Sequence, residues 1–426
     1  VRRRARQLGG IRAALLCAAV LLCPTAPGRA TEAPAPAATP AAFPVASDVR
    51  VAGDDKQTRF ILDLDQSFPL RAFALADPYR VVIDLPQVDF RLPAGVGGSG
   101  RGLVKAFRYG LVMPGGSRIV LDLAGPARIE KAFVLEAANG QPPRMVIELE
   151  SIDRAAFVQA LKAGSSSDPR PAAVEVTASV VPDAPPAAPV DPRPVIVLDP
   201  GHGGIDNGTQ AATGVSEKSI VLDFALALRD RIEKGGKYRP VLTRSDDTFI
   251  ALADRVKFAR THSAALFVSI HADALPRGEG DAQGATIYTL SDRASDSEAQ
   301  RLADTENKAD AIGGVNLTEE PTEVADILID LVQRETRTFS NRFARQLIRE
   351  MKPTVRMHKN PLKSAGFRVL KAPDVPSVLI ELGYVSNKSD LEHLVSDAWR
   401  SRTVGAVAQA IDTFFAKRVV SVGASN

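Results

Sequence analysis

The chain has 426 residues, of which 45% are hydrophobic and 24% charged, and a formal net charge of +3. Its length calls for two or more domains, and its composition is that of an ordinary globular protein. Residues 1–30 hold six arginines and no acid, so the rest of the chain carries a net charge of −3, which excludes the basic footprint of a nucleic-acid binder.

Those first 30 residues read as a secretory signal peptide, removed on export. Arg2, Arg3, Arg4, Arg6 and Arg12 precede an apolar run from Ala13 to Cys23, and Gly28-Arg29-Ala30 offers the small residues of a cleavage site. The run is too short to span a membrane, so no stable membrane anchor is expected. Cys17 and Cys23 are the chain's two cysteines and leave with it, so any metal must be held by His, Glu or Asp. Residues 31–47 are rich in Ala, Pro and Thr and predict a disordered leader.

Residues 48–152 predict an all-β sandwich domain. Stretches 58–65, 70–75, 80–86, 104–110, 117–124, 127–136 and 144–150 alternate apolar and polar residues at the strand period. TRFILDLD…RVVIDL in the first half parallels SRIVLDLA…RMVIEL in the second, which predicts two related half-domains packed face to face. No constellation of titratable groups here resembles a catalytic site, so a binding module is expected. Residues 153–193, rich in Pro and Ala, form the interdomain linker. From 194 to 418, strands (195–198, 238–243, 265–270, 284–290, 377–382) alternate with helices (217–234, 250–261, 335–351, 389–416). That pattern predicts an α/β catalytic domain, a mixed sheet with helices on both faces.

Chemistry gathers at the carboxyl ends of these strands, where open α/β sheets place their sites. VIVL (195–198) runs into DPGHGG, a tight turn that presents His202. His271 follows the strand AALFVSI, and Glu217 lies in the first turn of a helix, a favourable place for a carboxylate. Two nitrogens and one oxygen make a catalytic zinc site with a free fourth position. Asp199 and Asp273 stand near the histidines as groups to fix their tautomers. VLIELG places Glu381 at a strand end; a buried glutamate without a cation is costly, and beside a metal it serves as general base. His358, in a loop near the expected cleft, is a further candidate for a substrate or transition-state role. Arg244 and Arg255 are expected to hold the fold through ion pairs.

Taken in order, LDPGHGGIDNG (198–208), the Glu217-Lys218 pair, LTRSDDTFIALADR (242–255), LFVSIHADA (266–274) and PSVLIELGYVSN (376–387) resemble the zinc-dependent N-acetylmuramoyl-L-alanine amidases of the Amidase_3 family. Residues 48–150 resemble the AMIN domain that precedes this catalytic domain in septal amidases of the AmiC and AmiB type. The resemblance implies one zinc ion per catalytic domain, on His202, Glu217 and His271, with Glu381 as general base. Asp273 stands where many members of the family have Asn. The implied reaction is hydrolysis of the amide between N-acetylmuramic acid and the L-alanine of the stem peptide, in the periplasm, during wall remodelling and daughter-cell separation. Peptidoglycan is the expected partner, and the sandwich is expected to localise the enzyme on it or at the division site. The alternatives are a wall-binding scaffold with a dead hydrolase domain and a zinc peptidase cutting within the stem peptide.

Residues 291–334 separate a strand from its following helix by an unusual distance, and connections that long are commonly functional. Ala299, Leu302 and Ala303 form a helical stripe on which Glu306 also falls; a second stripe runs through Val324, Ile327, Leu328 and Leu331, with Glu320 four residues before it. An acid on the inward face of a helix near zinc would fill the open coordination position. Septal amidases carry such an insertion as a blocking helix, displaced by an activator protein of the LytM type. Glu306 is the expected blocking ligand and Glu320 the alternative.

Overall fold

The computed structural model describes residues 43–166, 191–274, 283–315 and 327–423, apart from single positions 94, 114, 139 and 212. The signal peptide, most of the leader and of the linker, and Glu320 lie outside the described residues. Among the described residues no helix is long and apolar enough to cross a membrane.

Nine strands build the first domain: β1 (Val45–Gly53), β2 (Gln57–Leu64), β3 (Arg71–Leu75), β4 (Arg80–Pro86), β5 (Asp89–Phe90), β6 (Val104–Met113), β7 (Gly116–Leu123), β8 (Ala127–Leu135) and β9 (Arg144–Ser151). They form two sheets, ordered β5-β1-β2-β9-β8 and β3-β4-β7-β6. Alternate residues such as Phe60 and Leu62, Val81 and Ile83, Ile119 and Leu121, and Met145 and Ile147 meet in one core, as the strand period dictates. The repeat is real, but its halves do not pack as separate bodies. β2 pairs with β9 and β4 with β7, so each sheet takes strands from both halves. The repeat maps β1-β2-β9-β8 onto β6-β7-β4-β3. β1 begins inside the expected leader because Ala46 enters the core. Helix α1 (Arg154–Ser166) occupies the start of the expected linker, where Phe157 buries itself edge-on to Tyr79.

The second domain contains β10 (Val195–Pro200), α2 (Glu217–Gly235), β11 (Arg239–Leu242), α3 (Leu252–Thr261), β12 (Leu266–His271), β13 (Ala285–Leu290), α4 (Ser297–Glu306), α5 (Ala309–Ile312), α6 (Ile327–Met351), β14 (Met357–Ala365), β15 (Ser377–Glu381), α7 (Lys388–Leu394) and α8 (Asp397–Gly423). Its sheet runs β11-β10-β12-β15-β13-β14, parallel except where β13 meets β15, which is the expected mixed sheet. Ile196, Leu198, Val268, Ile270, Val378 and Ile380 pack beneath α2, α6 and α8. Val195, Val197, Phe267, Leu379 and Tyr288 face α3 and α4. Period-two alternation therefore sends Asp199, His271, Thr286 and Glu381 to the α3/α4 side. Three expectations are corrected. His358 lies on edge strand β14 rather than in a loop, the long helix α6 starts at Ile327 inside the second stripe, and the final helix is two helices, broken at Val395 and Ser396.

The sandwich lies against this second domain. Leu75, Val82 and Val120, on the outer face of the β3-β4-β7-β6 sheet, cluster with Ile205, Phe249 and Val315. Arg80 on β4, Arg108 on β6 and Arg118 on β7 donate to the carbonyls of Ala311, Ile312 and Gly313 at 2.7, 2.7 and 2.9 Å. Asp122 and Asp84 pair with Arg108 and Arg118. These carbonyls lie at the carboxyl end of α5, where a helix leaves acceptors open; Ala311 O also accepts from Gly314 N at 3.2 Å.

Candidate metal centre

The loop after β10 brings in the first histidine. His202 has φ +59°, a left-handed conformation rarely taken by a residue with a side chain and one that marks functional loops. Two buried arginines hold the turn, Arg255 through the expected ion pair and Arg244, contrary to expectation, through backbone carbonyls. Arg255 pairs with Asp199 (2.7 Å) and donates to Pro200 O and His202 O; Arg244 donates to Gly201 O (2.7 Å) and Lys218 O (3.0 Å). Gly201 and Gly208 let the ligands approach: a Cβ on Gly201 would stand 2.4 Å from His271 Cε1, and one on Gly208 2.6 Å from His202 Cδ2.

His202, Glu217, His271 and Glu306 converge. Glu217 Oε1 lies 3.1 Å from His202 Nε2 and 3.3 Å from His271 Nδ1; Glu306 Oε2 lies 3.8 and 3.2 Å from the same two nitrogens. The donor atoms of His202, His271 and Glu306 are all within 4.8 Å of one another, close enough to share one ion. Ligands about 2.0–2.1 Å from a tetrahedral zinc stand about 3.3 Å apart, and the four contacts bracket that spacing. Both nitrogens are buried with no hydrogen-bond partner. Two imidazoles and two carboxylates, without a thiolate, are a donor set that suits zinc. The residues present thus fit a metal.

Electrostatics point the same way. Burial opposes charge on His202, but Glu217, Asp206 and Glu306 outweigh it and hold its pKa well above the ordinary value; Glu306 and Glu217 likewise raise that of His271 against its burial. Burial opposes ionisation of Glu217 too, yet the two histidines hold its carboxyl well below its usual range. Glu306 is pushed up to about 7 by burial, against the pull of both histidines. The cluster calls for positive charge, whether from protons or from a cation.

Asp206 Oδ2 sits 2.9 Å from His202 Nδ1, which turns Nε2 towards the cluster. That is the part expected of Asp199 or Asp273, and neither takes it. The oxygens of Asp199 accept from Arg255, Thr243 and Ser269, each at 2.7 Å, and Asp273 Oδ1 accepts from the Thr209 hydroxyl and the Ala274 N–H, each at 2.6 Å. Asp206 was missed by sequence reasoning, although it lies four residues after His202 within the same turn. Glu381 pairs in register with His271 and is fully buried. Its Oε2 accepts from the Asp273 N–H at 3.1 Å, while Oε1 has no partner. Burial, reinforced by Glu217, Asp273 and Glu306, holds its pKa well above the carboxylate range. His358 is not in the cluster; its Nε2 lies 3.9 Å from Glu298, at the far end of α4.

Glu306 is the last residue of α4, which Asp296 caps by accepting from Ala299 N at 2.8 Å and which buries Ala299, Leu302, Ala303 and Glu306 as the stripe predicts. Past it, Asn307 bonds Gly366 O (2.9 Å) and Arg368 N (2.8 Å), and Asp310 accepts from Leu252 N at the start of α3 (2.8 Å). With the arginines of the sandwich, the segment is fastened along its described length.

An N-acetylmuramoyl-L-alanine amidase family model matches residues 196–413, and an AMIN domain model matches residues 48–149. The chain is 32% identical over 384 residues to the N-acetylmuramoyl-L-alanine amidase AmiC of Escherichia coli O6:H1, covering 86% of this chain and 89% of that one. It is 31% identical over 383 residues to AmiC of Neisseria meningitidis serogroup B, with the same coverage. To AmiA of Escherichia coli K12 it is 39% identical over 222 residues, 52% of this chain and 76% of that one. The chain belongs to the N-acetylmuramoyl-L-alanine amidase family, as an enzyme of peptidoglycan that carries an AMIN domain ahead of its catalytic domain.

Proposed function

We infer that the chain is an exported, autoinhibited zinc amidase: His202, Glu217 and His271 hold one zinc ion, Glu306 fills its fourth position at rest, and Glu381 is the general base. It works in the periplasm, in wall remodelling and daughter-cell separation, where an activator of the LytM type draws the segment 291–334 away. The observation that carries this reading is the fourth donor, an acid on an inserted helix at ligand spacing from both histidines. A zinc site with four protein ligands is closed, whereas a catalytic one keeps a position open.

Zinc, when bound, supplies a Lewis acid for the amide carbonyl and lowers the pKa of water. The rest falls to the chain. Asp206 fixes the His202 tautomer at Nδ1. The Asp273 N–H holds Glu381 Oε2, leaving the unpaired Oε1 to take the proton of the attacking water. Buried away from water, Glu381 keeps that proton until the leaving L-alanine nitrogen accepts it. Metal analysis is expected to return one zinc per chain, lost on His202→Ala, and peptides released from sacculi by the zinc-loaded, activated chain are expected to begin with L-alanine. Zinc retained by His202→Ala, or peptides cut within the stem, would overturn the reading.

On this reading the sandwich belongs to the lock as well as to localisation. Buried charge-assisted bonds to carbonyls contribute about 1.5–3 kcal/mol each, far more than exposed ion pairs. Arg80 is 1% exposed, so replacing it would also disturb the sandwich. Arg108 and Arg118 are more accessible. The pair Arg108→Gln and Arg118→Gln is expected to raise hydrolysis without activator by about tenfold or more, on the order of the loss of one such bond. An unchanged rate in a chain with an unchanged circular dichroism spectrum would leave the sandwich with localisation alone.

A further inference from the structure

Glu306 is not the only acid that α4 lays along the sheet. Eight residues earlier, in the first turn, Glu298 accepts from Lys363 Nζ at 2.8 Å and from the Tyr384 hydroxyl at 3.1 Å, with His358 Nε2 at 3.9 Å. The N-cap, Asp296, lies 3.5 Å from the same ammonium. The Lys363 side chain is 2% exposed. Lysine is almost never so buried unless paired, and the acids paired with it among the described residues belong to α4 and its cap. Lys363, His358 and Tyr384 therefore make an anion site whose present occupant rides on a removable segment.

This site shares a sheet face with the metal cluster. Lys363 is in register with Tyr288; two residues back, Thr286 is in register with Glu381, and Glu381 with His271. From β12 to β14 is three strand spacings, about 14 Å. From Glu306 back to Glu298 is eight helical residues, about 12 Å. Between the two ends the hydroxyls of Thr286 and Tyr288 are buried beside that of Tyr384.

We propose that Lys363, His358 and Tyr384 form a subsite for a carboxylate on the peptide part of the substrate, which Glu298 occupies in the resting chain. The proposal rests on α4 blocking an amidase site, as inferred above. An extended peptide advances about 3.3 Å per residue, so a carboxylate some four residues from the scissile amide reaches the subsite. α4 then imitates the substrate at two points, the metal and the carboxylate.

The test uses the full chain carrying Glu306→Ala, so that hydrolysis is measurable without activator, and a soluble muramoyl-peptide with its peptide carboxylates either free or amidated. The free acid is expected to be cleaved about tenfold better in kcat/KM, with the difference in KM, as the loss of one charge-assisted hydrogen bond would give. Adding Lys363→Met is expected to erase the preference, Lys363→Arg to keep it and Tyr384→Phe to reduce it. The preference is taken within each variant, so a looser α4 or a smaller folded fraction cancels. An unchanged preference in Lys363→Met, or a parent that cleaves both substrates alike, overturns the subsite and leaves Lys363 as an anchor for α4. Cleavage of neither substrate counts against the amidase reading instead. Calorimetry with the free-acid peptide then decides the subsite: it stands if Lys363→Met weakens binding and Lys363→Arg does not, and falls otherwise.

Discussion

Glu306→Ala is expected to hydrolyse sacculi without an activator on the order of tenfold faster than the parent chain, with zinc still bound. The carboxylate it removes stands 3.2 Å from His271 Nδ1 and 3.8 Å from His202 Nε2, so its loss frees a coordination position and leaves His202, Glu217 and His271 in place. Closure would then rest on packing and on the segment's remaining polar contacts. Ala299, Leu302 and Ala303 still fill the cleft, and Glu298, Asn307 and Asp310 keep their partners. That residue of anchoring limits the rise and predicts that Arg108→Gln adds to it. Glu306→Gln keeps the shape but is a poorer ligand, and should fall between parent and Ala variant. A folded, zinc-loaded Glu306→Ala chain with the parent's basal rate would mean that the segment blocks by bulk, with its acid incidental.

Much of the fold and the centre could be read from the chain because the same residues answer to two constraints. The strands that carry His202, His271 and Glu381 are continuous apolar runs, buried on both faces, and each runs into a glycine turn or a polar stop. Gly201 and Gly208 stand where a Cβ would strike a ligand, so the motif around His202 records the close approach directly. Glu306 was legible because it shares a helical stripe with Leu302 and Ala303. What escaped lacked such a pattern. β14 is an edge strand with Pro361 and two lysines, a composition that edges tolerate and that hides the strand period. α1 was masked by the Pro- and Ala-rich stretch behind it. Asp206 and Asp199 differ only in which partner reaches them. Arg255, Thr243 and Ser269 occupy Asp199, and no local pattern in the chain announces that. The strand exchange between the halves of the sandwich is also a tertiary fact, since a repeat is compatible with either pairing.

Glu381→Gln is expected to lower the rate of the activated chain by about 10²–10⁴, the usual worth of a positioned general base, while leaving the metal content unchanged. Glu381 is buried to 0% exposure, with Oε1 unpaired and Oε2 on the Asp273 N–H. Its pKa stands well above the usual value because burial and then Glu217, Asp273 and Glu306 oppose its charge. A neutral amide of the same shape relieves that opposition, so the variant should unfold at the same temperature as the parent or a higher one. The sign for activity is the reverse. The base must be ionised, so the parent rate should fall as pH drops through the pKa of Glu381 in the zinc-loaded chain, and this acid limb should be missing from the residual rate of the Gln variant. Loss of activity together with loss of zinc would mean that Glu381 holds the centre together. Full activity in a zinc-loaded Gln variant would pass the proton transfer to Asp273, whose pKa is also raised by burial and by Glu217.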